Sequence, residues 1–395
     1  MTYQLPAYSP LSLSSLVKSL GALVSLGSRS REVLASHLKT RFSCPEAILT
    51  GSGTEALQLA FQSIARRGEG DAEILLPAYS CYDLMTAVLG AGVRARFYDL
   101  DPTSFMPDEG SFRRGLRPKP AAVVVGNLFG YPLDWDAIRS WVGDEGPPLI
   151  EDAAQGVGSS WSGRPTGTFG DLTILSFGRG KGWTGGGGGA LLVRNPDILD
   201  LPGSLLDPSW TAGPRSAVLS AAQWILGRPS LYGLPNLVPG LGLGETHFKE
   251  PSSPKRISAF SGGLAFRTAS IAEDERHPRA ANAERLFELL AEGNATGRLR
   301  TFDVIPGGES SFLRFPILWP KGPVKESVGP EFRRLGIAAS YPRVLHELPG
   351  FLDTNSAPPA ATPGALRLSR HLLTLPTHSR LSPGVYEAIR ELLLS

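Results

Sequence analysis

The chain has 395 residues, 42% hydrophobic and 19% charged, enough to bury a large core and to divide into about two domains. Its 39 basic and 37 acidic residues leave a formal charge of +2, which offers no footprint for a nucleic acid partner. Two cysteines, Cys44 and Cys81, are too few for a disulfide framework and lack zinc-site spacing, and "MTYQLPAYSP" lacks the basic start and apolar run of a secretory signal; the expectation is a cytoplasmic protein without a metal site.

From about residue 50 to 195, short apolar runs alternate with helix-like stretches. The runs are "AEILLPA", "RARFYDL", "AAVVVGN", "PPLIEDA", "DLTILSF" and "GALLVRN". Between them lie amphipathic segments such as "TEALQLAFQSIARR" and "LDWDAIRSWVG", with apolar residues at spacings of three and four. This rhythm predicts an α/β domain over 1–197, a mainly parallel sheet covered by helices. In such sheets ligands bind beyond the carboxyl ends of the strands.

Residues 198–255 form an apolar insertion rich in Pro, Gly, Leu and Trp, in which Pro229, Pro235 and Pro239 prevent one long helix. Trp210, Trp224 and Tyr232 suit a dimer interface or a lid over the active site. A shallow membrane contact is disfavoured, because Pro and Gly interrupt any spanning helix and basic residues are sparse. Residues 256–395, with "AANAERLFELLAE", "SFLRFPILW", "PEFRRLG" and "PGVYEAIRELLL", read as a smaller C-terminal α/β domain. The Pro-rich "SAPPAATPG" reads as a surface loop.

Four stretches at strand ends carry chemistry. In "TGSGTEALQLA", Gly51, Ser52, Gly53 and Thr54 lead into a helix, presenting N–H groups and hydroxyls at the positive end of its dipole. That arrangement cradles a phosphate, and it equally serves as an ordinary N-cap. In "PLIEDAAQG" a strand ends in Glu151 and Asp152, followed by Gln155; a strand-end acid suits an N-cap, a metal ligand or a cation partner.

In "LSFGRGKG", Ser176 ends a strand and Lys181, one of eight lysines, lies between Gly180 and Gly182. The glycines leave an amine room to form a covalent adduct, or they make only a flexible loop. Gly185–Gly189 enters the next strand and suits tight turns beside a pocket. Together, a phosphate cradle, a strand-end aspartate and a lysine 29 positions later (181 − 152) are the parts that hold pyridoxal 5′-phosphate.

The ordered set "GSGTEAL", "LPAYSCYD", "NLFGYPLDWDAI", "IEDAAQGVGSSWSGRPTGTFGD", "LSFGRGK" and "GGGGGALLV" resembles the DegT/StrS family of sugar aminotransferases. The resemblance implies the aspartate-aminotransferase-like fold, a three-layer αβα arrangement around a mainly parallel seven-stranded sheet. It implies that Lys181 is the Schiff-base and catalytic lysine and that Asp152 partners the pyridine nitrogen. Gln155 would lie near the cofactor's phenolic oxygen, and Gly53, Thr54 and Ser176 would bind the phosphate. The family's reaction moves an amino group from an amino acid such as glutamate to a nucleotide-linked keto sugar, in shared sites of a homodimer. A dehydration, amination of another substrate, or cofactor binding without turnover are the alternatives.

The chain departs from the family pattern at four places. Cys81 stands where an aromatic covers the cofactor ring, leaving Tyr79 or Tyr82 to supply a ring face. Gly178 and Gly187 replace a histidine or aromatic and an acid. Pro254 replaces a cross-subunit phosphate asparagine, with Lys255 or Arg256 as possible cations or as solvated basic residues. His346 and His378 are expected to be structural hydrogen bonders.

Overall fold

A computed structural model describes residues 3–24, 28–68, 71–201, 203, 205–233, 247–321, 328–351 and 360–395. Pro235, Pro239 and the first part of "SAPPAATPG" fall outside the described residues.

The apolar runs form strands because their side chains are buried on both faces of a parallel sheet, the environment that favours continuous Val, Ile and Leu. In chain order the large sheet is built from β1 (Glu46–Thr50), β2 (Glu73–Pro77), β3 (Arg94–Tyr98), β4 (Ala122–Gly126) and β5 (Leu149–Asp152). Two minor strands, β6 (Ser160–Trp161) and β7 (Arg164–Pro165), precede β8 (Leu172–Ser176) and β9 (Gly189–Val193). The seven-stranded order is β1-β9-β8-β5-β4-β2-β3. The sheet is parallel except at β9, which runs antiparallel to both β1 and β8. The expected seven-stranded, mainly parallel αβα sheet is therefore present.

Helices close both faces. On one side Leu57, Phe61 and Ile64 of the helix Gly53–Arg67 join Leu75, Val124 and Ile150 of the sheet in the main core. On the other, Leu34 and Leu38 of the helix Ser28–Arg41 and Ala265 and Ala269 of the helix Ala259–Asp274 cover Leu175, Ala190 and Leu192. Each large apolar side chain so buried contributes about 1.5–3 kcal/mol.

A smaller sheet follows, built from β10 (Arg300–Thr301), β12 (Phe315–Leu318), β13 (Ala338–Ala339) and β14 (Leu372–Leu375) in the order β10-β12-β14-β13, while β11 (Gly308–Glu309) pairs with β6 of the large domain. Its own core joins Phe315, Ile317 and Leu373 to Leu286 and Leu290 of the helix Arg276–Ala295 and to Tyr386 and Ile389 of the helix Val385–Leu394.

Within 198–255, a helix Ala212–Leu226 forms ahead of Pro229. It packs with the helices Leu13–Val24 and Ala259–Asp274. Trp224 is partly buried against Leu11, Leu16, Phe260 and Leu264, whereas Trp210 is 87% exposed. No helix among the described residues is long and apolar enough to cross a membrane.

Candidate active site

β1, β2, β4, β5 and β8 end at one edge of the sheet, and the predicted residues lie in the loops just beyond them. The register aligns Ser176 of β8 with Gly189 of β9, and Gly189 with Thr50 of β1, so the lysine loop and the turn into the first large-domain helix start side by side.

That helix begins with a dedicated cap. Ser52 is extended, and its hydroxyl accepts a hydrogen bond from the Glu55 N–H at 3.1 Å. The Glu55 carboxylate reaches back to accept from the Gly51 N–H at 3.1 Å and from the Lys255 N–H at 2.9 Å. Ser52 therefore does the capping, and Gly53 and Thr54 follow in the first turn, whose N–H groups have no acceptor within the helix. A Cβ on Gly53 would lie 2.8 Å from Ser176 Cβ, closer than real side chains come. The missing side chain lets Ser176 sit against the helix N-terminus, which brings Gly53, Thr54 and Ser176 together.

Glu151 and Asp152 point to opposite sides of β5, as consecutive strand residues must. Glu151 is fully buried, and its carboxylate accepts from the N–H groups of Gly167, Phe169 and Gly170 and from the Thr173 hydroxyl. Its role is to hold the turn at 167–170. Asp152 faces the site: its Oδ1 accepts from the Ala154 N–H at 3.0 Å, and it has no other hydrogen bond among the described residues. Burial pushes the Asp152 carboxyl up, and the Lys181 ammonium pulls it back down.

Lys181 lines a cavity of about 530 Å³ together with Gln155, Phe129, Tyr341, Arg179 and Arg314. Its loop is tethered by the Gly180 N–H, which donates to Ser9 Oγ at 2.7 Å. Gln155 bridges two walls: its Oε1 accepts from the Phe129 N–H at 3.3 Å and its Nε2 donates to the Tyr341 hydroxyl at 2.8 Å. Phe129 adopts the left-handed region (φ 56°), which a bulky residue enters only when its surroundings hold it there.

Tyr79 and Tyr82 are buried away from the cavity wall. The Tyr79 hydroxyl accepts from the Tyr341 N–H and the Tyr82 hydroxyl from the Arg343 N–H, and both rings pack on Tyr341. The aromatics on the cavity wall from these elements are Phe129 and Tyr341, with ring centroids 6.4 Å apart and planes 26° apart. Cys81 stands near both Lys181 and Asp152, and burial, aided by Asp83, pushes its thiol up to about 12. Lys255 and Arg256 run beside the helix N-terminus, where the Gly51 N–H donates to the Lys255 carbonyl, but the Arg256 guanidinium pairs with Asp207 at 3.0 Å. His378 is buried, with Nε2 donating to the Leu5 carbonyl and Nδ1 accepting from the Arg380 N–H.

Phe129, Tyr341 and Arg314 have no place in the sequence motifs. Phe129 was within reach, because "NLFG" directly follows a strand; the other two come from the small domain and carry no local signal.

The site residues fit pyridoxal phosphate. The close approach at Gly53 makes a cradle that a side chain would fill, Asp152 keeps accepting capacity toward the cavity, and Lys181 offers its amine there. The fold is that of the pyridoxal-phosphate aminotransferases. The chain aligns with a sugar aminotransferase of Micromonospora echinospora at a TM-score of 0.73 and 20% identity, over 98% of this chain and 97% of that one. It also aligns with GDP-4-keto-6-deoxy-D-mannose-3-dehydratase of E. coli bound to hydrated pyridoxal phosphate, at a TM-score of 0.76 and 19% identity over the full length of both. Residues 20–211 belong to the DegT/DnrJ/EryC1/StrS aminotransferase family. Over 176 residues the sequence is 34% identical to dTDP-4-dehydro-2,3,6-trideoxy-D-glucose 4-aminotransferase of Saccharopolyspora spinosa, covering 44% of this chain and 45% of that protein. Over 142 residues it is 31% identical to the UDP-N-acetyl-3-dehydro-alpha-D-glucosamine 3-aminotransferase of Acidithiobacillus ferrooxidans, covering 36% and 38%. The matches thus span less than half the length of these curated relatives.

Proposed function

We propose that this protein is a pyridoxal-phosphate-dependent aminotransferase that moves an amino group from an amino acid such as glutamate to a nucleotide-linked keto sugar in polysaccharide or glycoconjugate synthesis. The observation that carries the reading is the convergence of Lys181, Asp152, Gln155 and the Gly53–Thr54 helix N-terminus at one strand edge, in a chain whose family and relatives are sugar aminotransferases.

When bound, pyridoxal phosphate supplies a carbonyl that accepts nitrogen and a ring that draws electrons from the reacting carbon. The first-turn N–H groups of Gly53 and Thr54, the Thr54 hydroxyl and Ser176 hold the phosphate dianion. The Asp152 carboxylate accepts the proton-bearing ring nitrogen and keeps it charged. Gln155, fixed by Phe129 and Tyr341, hydrogen-bonds the phenolic oxygen. The Lys181 amine anchors the cofactor and then carries the proton to and from the substrate carbon as general base and acid. Phe129 and Tyr341 shield the cavity, in place of the aromatic that Cys81 replaces.

The protein works as a cytoplasmic homodimer with shared sites. An apolar surface supports this: Leu13, Val17 and Leu20 of one helix and Val218, Leu219 and Ile225 of its neighbour are exposed, together with Trp210.

The test is the visible absorption of wild type and Lys181→Ala with pyridoxal phosphate, before and after glutamate. Wild type shows a lysine-dependent band that glutamate bleaches and a keto sugar restores. A band that every amino acid leaves unchanged would refute amino transfer.

A further inference from the structure

Arg314 immediately precedes β12 and lines the same cavity as Lys181. Its Nη2 donates to the carbonyls of Thr374 at 3.2 Å and Gly336 at 3.4 Å, so the small sheet fixes the position of the guanidinium. No carboxylate answers its charge. It enters no ion pair among the described residues, its Nε is buried with no hydrogen-bond partner there, and none of the residues lining the cavity is acidic. The polar groups that face it are the hydroxyls of Tyr341 and Tyr232, and burial pushes the guanidinium down to about 10, which leaves it a cation at neutral pH.

Arg179 adds a second cation to the same wall, and it too forms no ion pair among the described residues. The Tyr232 hydroxyl, which the apolar insertion contributes, feels both guanidiniums. A buried cation without a counter-ion is costly, and proteins retain one where a ligand supplies the opposite charge. The rest of the cavity is apolar, with Leu5, Leu226 and Leu313 on its walls.

We propose that Arg314 is the recognition group for the carboxylate of the amino donor, with Arg179 raising the positive potential beside it. The inference rests on the amino-transfer reading above. A carboxylate is planar, carries one charge, and matches the free edge of one guanidinium whose other edge is tied to backbone carbonyls. The donor's nitrogen must reach the place of the Lys181 amine, and the carboxylate on the adjacent carbon then falls in the cavity that Arg314 lines. A diphosphate carries more charge than one guanidinium can match, and the apolar walls offer it nothing further. The assignment gives the insertion a role as well: Tyr232 and the helix Ala212–Leu226 close the donor pocket from the far side.

The test is calorimetric binding of two probes to the cofactor-loaded full chain, as wild type, Arg314→Gln and Arg314→Lys. Glutarate has the carbon chain of glutamate and no amine; inorganic pyrophosphate stands in for the acceptor's diphosphate. Glutarate affinity falls at least tenfold in Arg314→Gln and less in Arg314→Lys, while pyrophosphate affinity holds. Equal glutarate affinity in wild type and Arg314→Gln, or no glutarate binding to wild type, overturns the proposal. Loss of pyrophosphate with glutarate retained also overturns it and moves the anion to the acceptor. If Arg314→Gln does not fold, Arg314→Lys carries the test, because it keeps the charge and loses the planar edge; unchanged glutarate affinity there overturns the assignment. Glutarate cannot be transaminated, so Arg314-dependent glutarate binding without spectral change on glutamate would refute amino transfer and leave the anion site standing.

Discussion

Glu151 and Asp152 are adjacent, buried carboxylates, and the same chemical change at each has opposite consequences. In Glu151→Gln one oxygen becomes an NH₂ group. The better orientation keeps the oxygen at the Oε2 position, where the N–H groups of Phe169 at 2.9 Å and Gly170 at 3.2 Å and the Thr173 hydroxyl at 3.2 Å converge. The NH₂ then faces the Gly167 N–H, which had donated to Oε1 at 2.7 Å. One buried donor left unsatisfied costs about 1–3 kcal/mol, and three surviving bonds each lose about 1 kcal/mol of charge assistance. Relief from burying a charge returns part of this, for a net loss of roughly 3 kcal/mol. With ~2.1 cal/mol/K per residue of unfolding entropy, a chain of this length loses about 4 °C in Tm. Asp152→Asn keeps the acceptor for the Ala154 N–H and should move Tm by less than about 1 °C, while the glutamate half-reaction slows by roughly a hundredfold or more as the ring nitrogen loses its anion. Thermal unfolding of the cofactor-free proteins and stopped-flow absorbance with glutamate measure the two effects. Equal Tm losses in both variants, or an unchanged Tm in Glu151→Gln, would refute the division of labour.

Three further outcomes are expected. Gly53→Ala drives a methyl to 2.8 Å from Ser176 Cβ, which costs about 1–3 kcal/mol of overpacking and weakens pyridoxal phosphate binding by at least tenfold in an absorbance titration; unaltered affinity would show that the cradle lies elsewhere. Burial and the neighbouring arginines hold the His378 ring neutral down to about 4, whereas the unfolded chain protonates it near 6.5. The unfolded state therefore binds more protons between those values, so His378 supports stability above about pH 6.5 and loses roughly 3 kcal/mol of it as pH falls toward 4. Denaturant titrations across that range should be flatter in His378→Asn than in wild type, and equal slopes would exclude the ring. Ser9→Ala strips the acceptor from the Gly180 N–H, and pyridoxal phosphate affinity should fall severalfold as the lysine loop loosens; no change would mean the tether is idle.

The sheet was legible because strands buried on both faces must be apolar throughout, and all six such runs are strands of the large sheet. β1 escaped because its first three residues are only partly buried, so "EAILT" lacks both a full apolar run and clean alternation. Lys181 and Asp152 were legible as candidates because each stands within a few residues of a strand end. Tyr341 and Arg314 were not. Tyr341 meets Gln155 across 186 positions of chain, and no local period records a contact that a second domain makes. The same distance explains Tyr79 and Tyr82, which the sequence offers as covers for the ring and whose hydroxyls instead fix the small-domain segment that carries Tyr341.

The glycines around Lys181 follow from crowding rather than from a need for flexibility. A Cβ on Gly189 would lie 2.5 Å from the Gly53 nitrogen, and one on Gly53 would reach Ser176, so three chain segments approach as closely as backbone allows. Two neighbours in the run, Gly186 and Gly188, hold positive φ and turn the chain from the lysine loop into β9. Such packing leaves the N–H groups of a helix start, a strand-end hydroxyl and a lysine around one small volume, and side chains at these positions would push them apart. A flexible linker would tolerate alanine at Gly189; this arrangement does not, because the methyl meets the backbone of the cradle itself, which has no rotamer through which to give way.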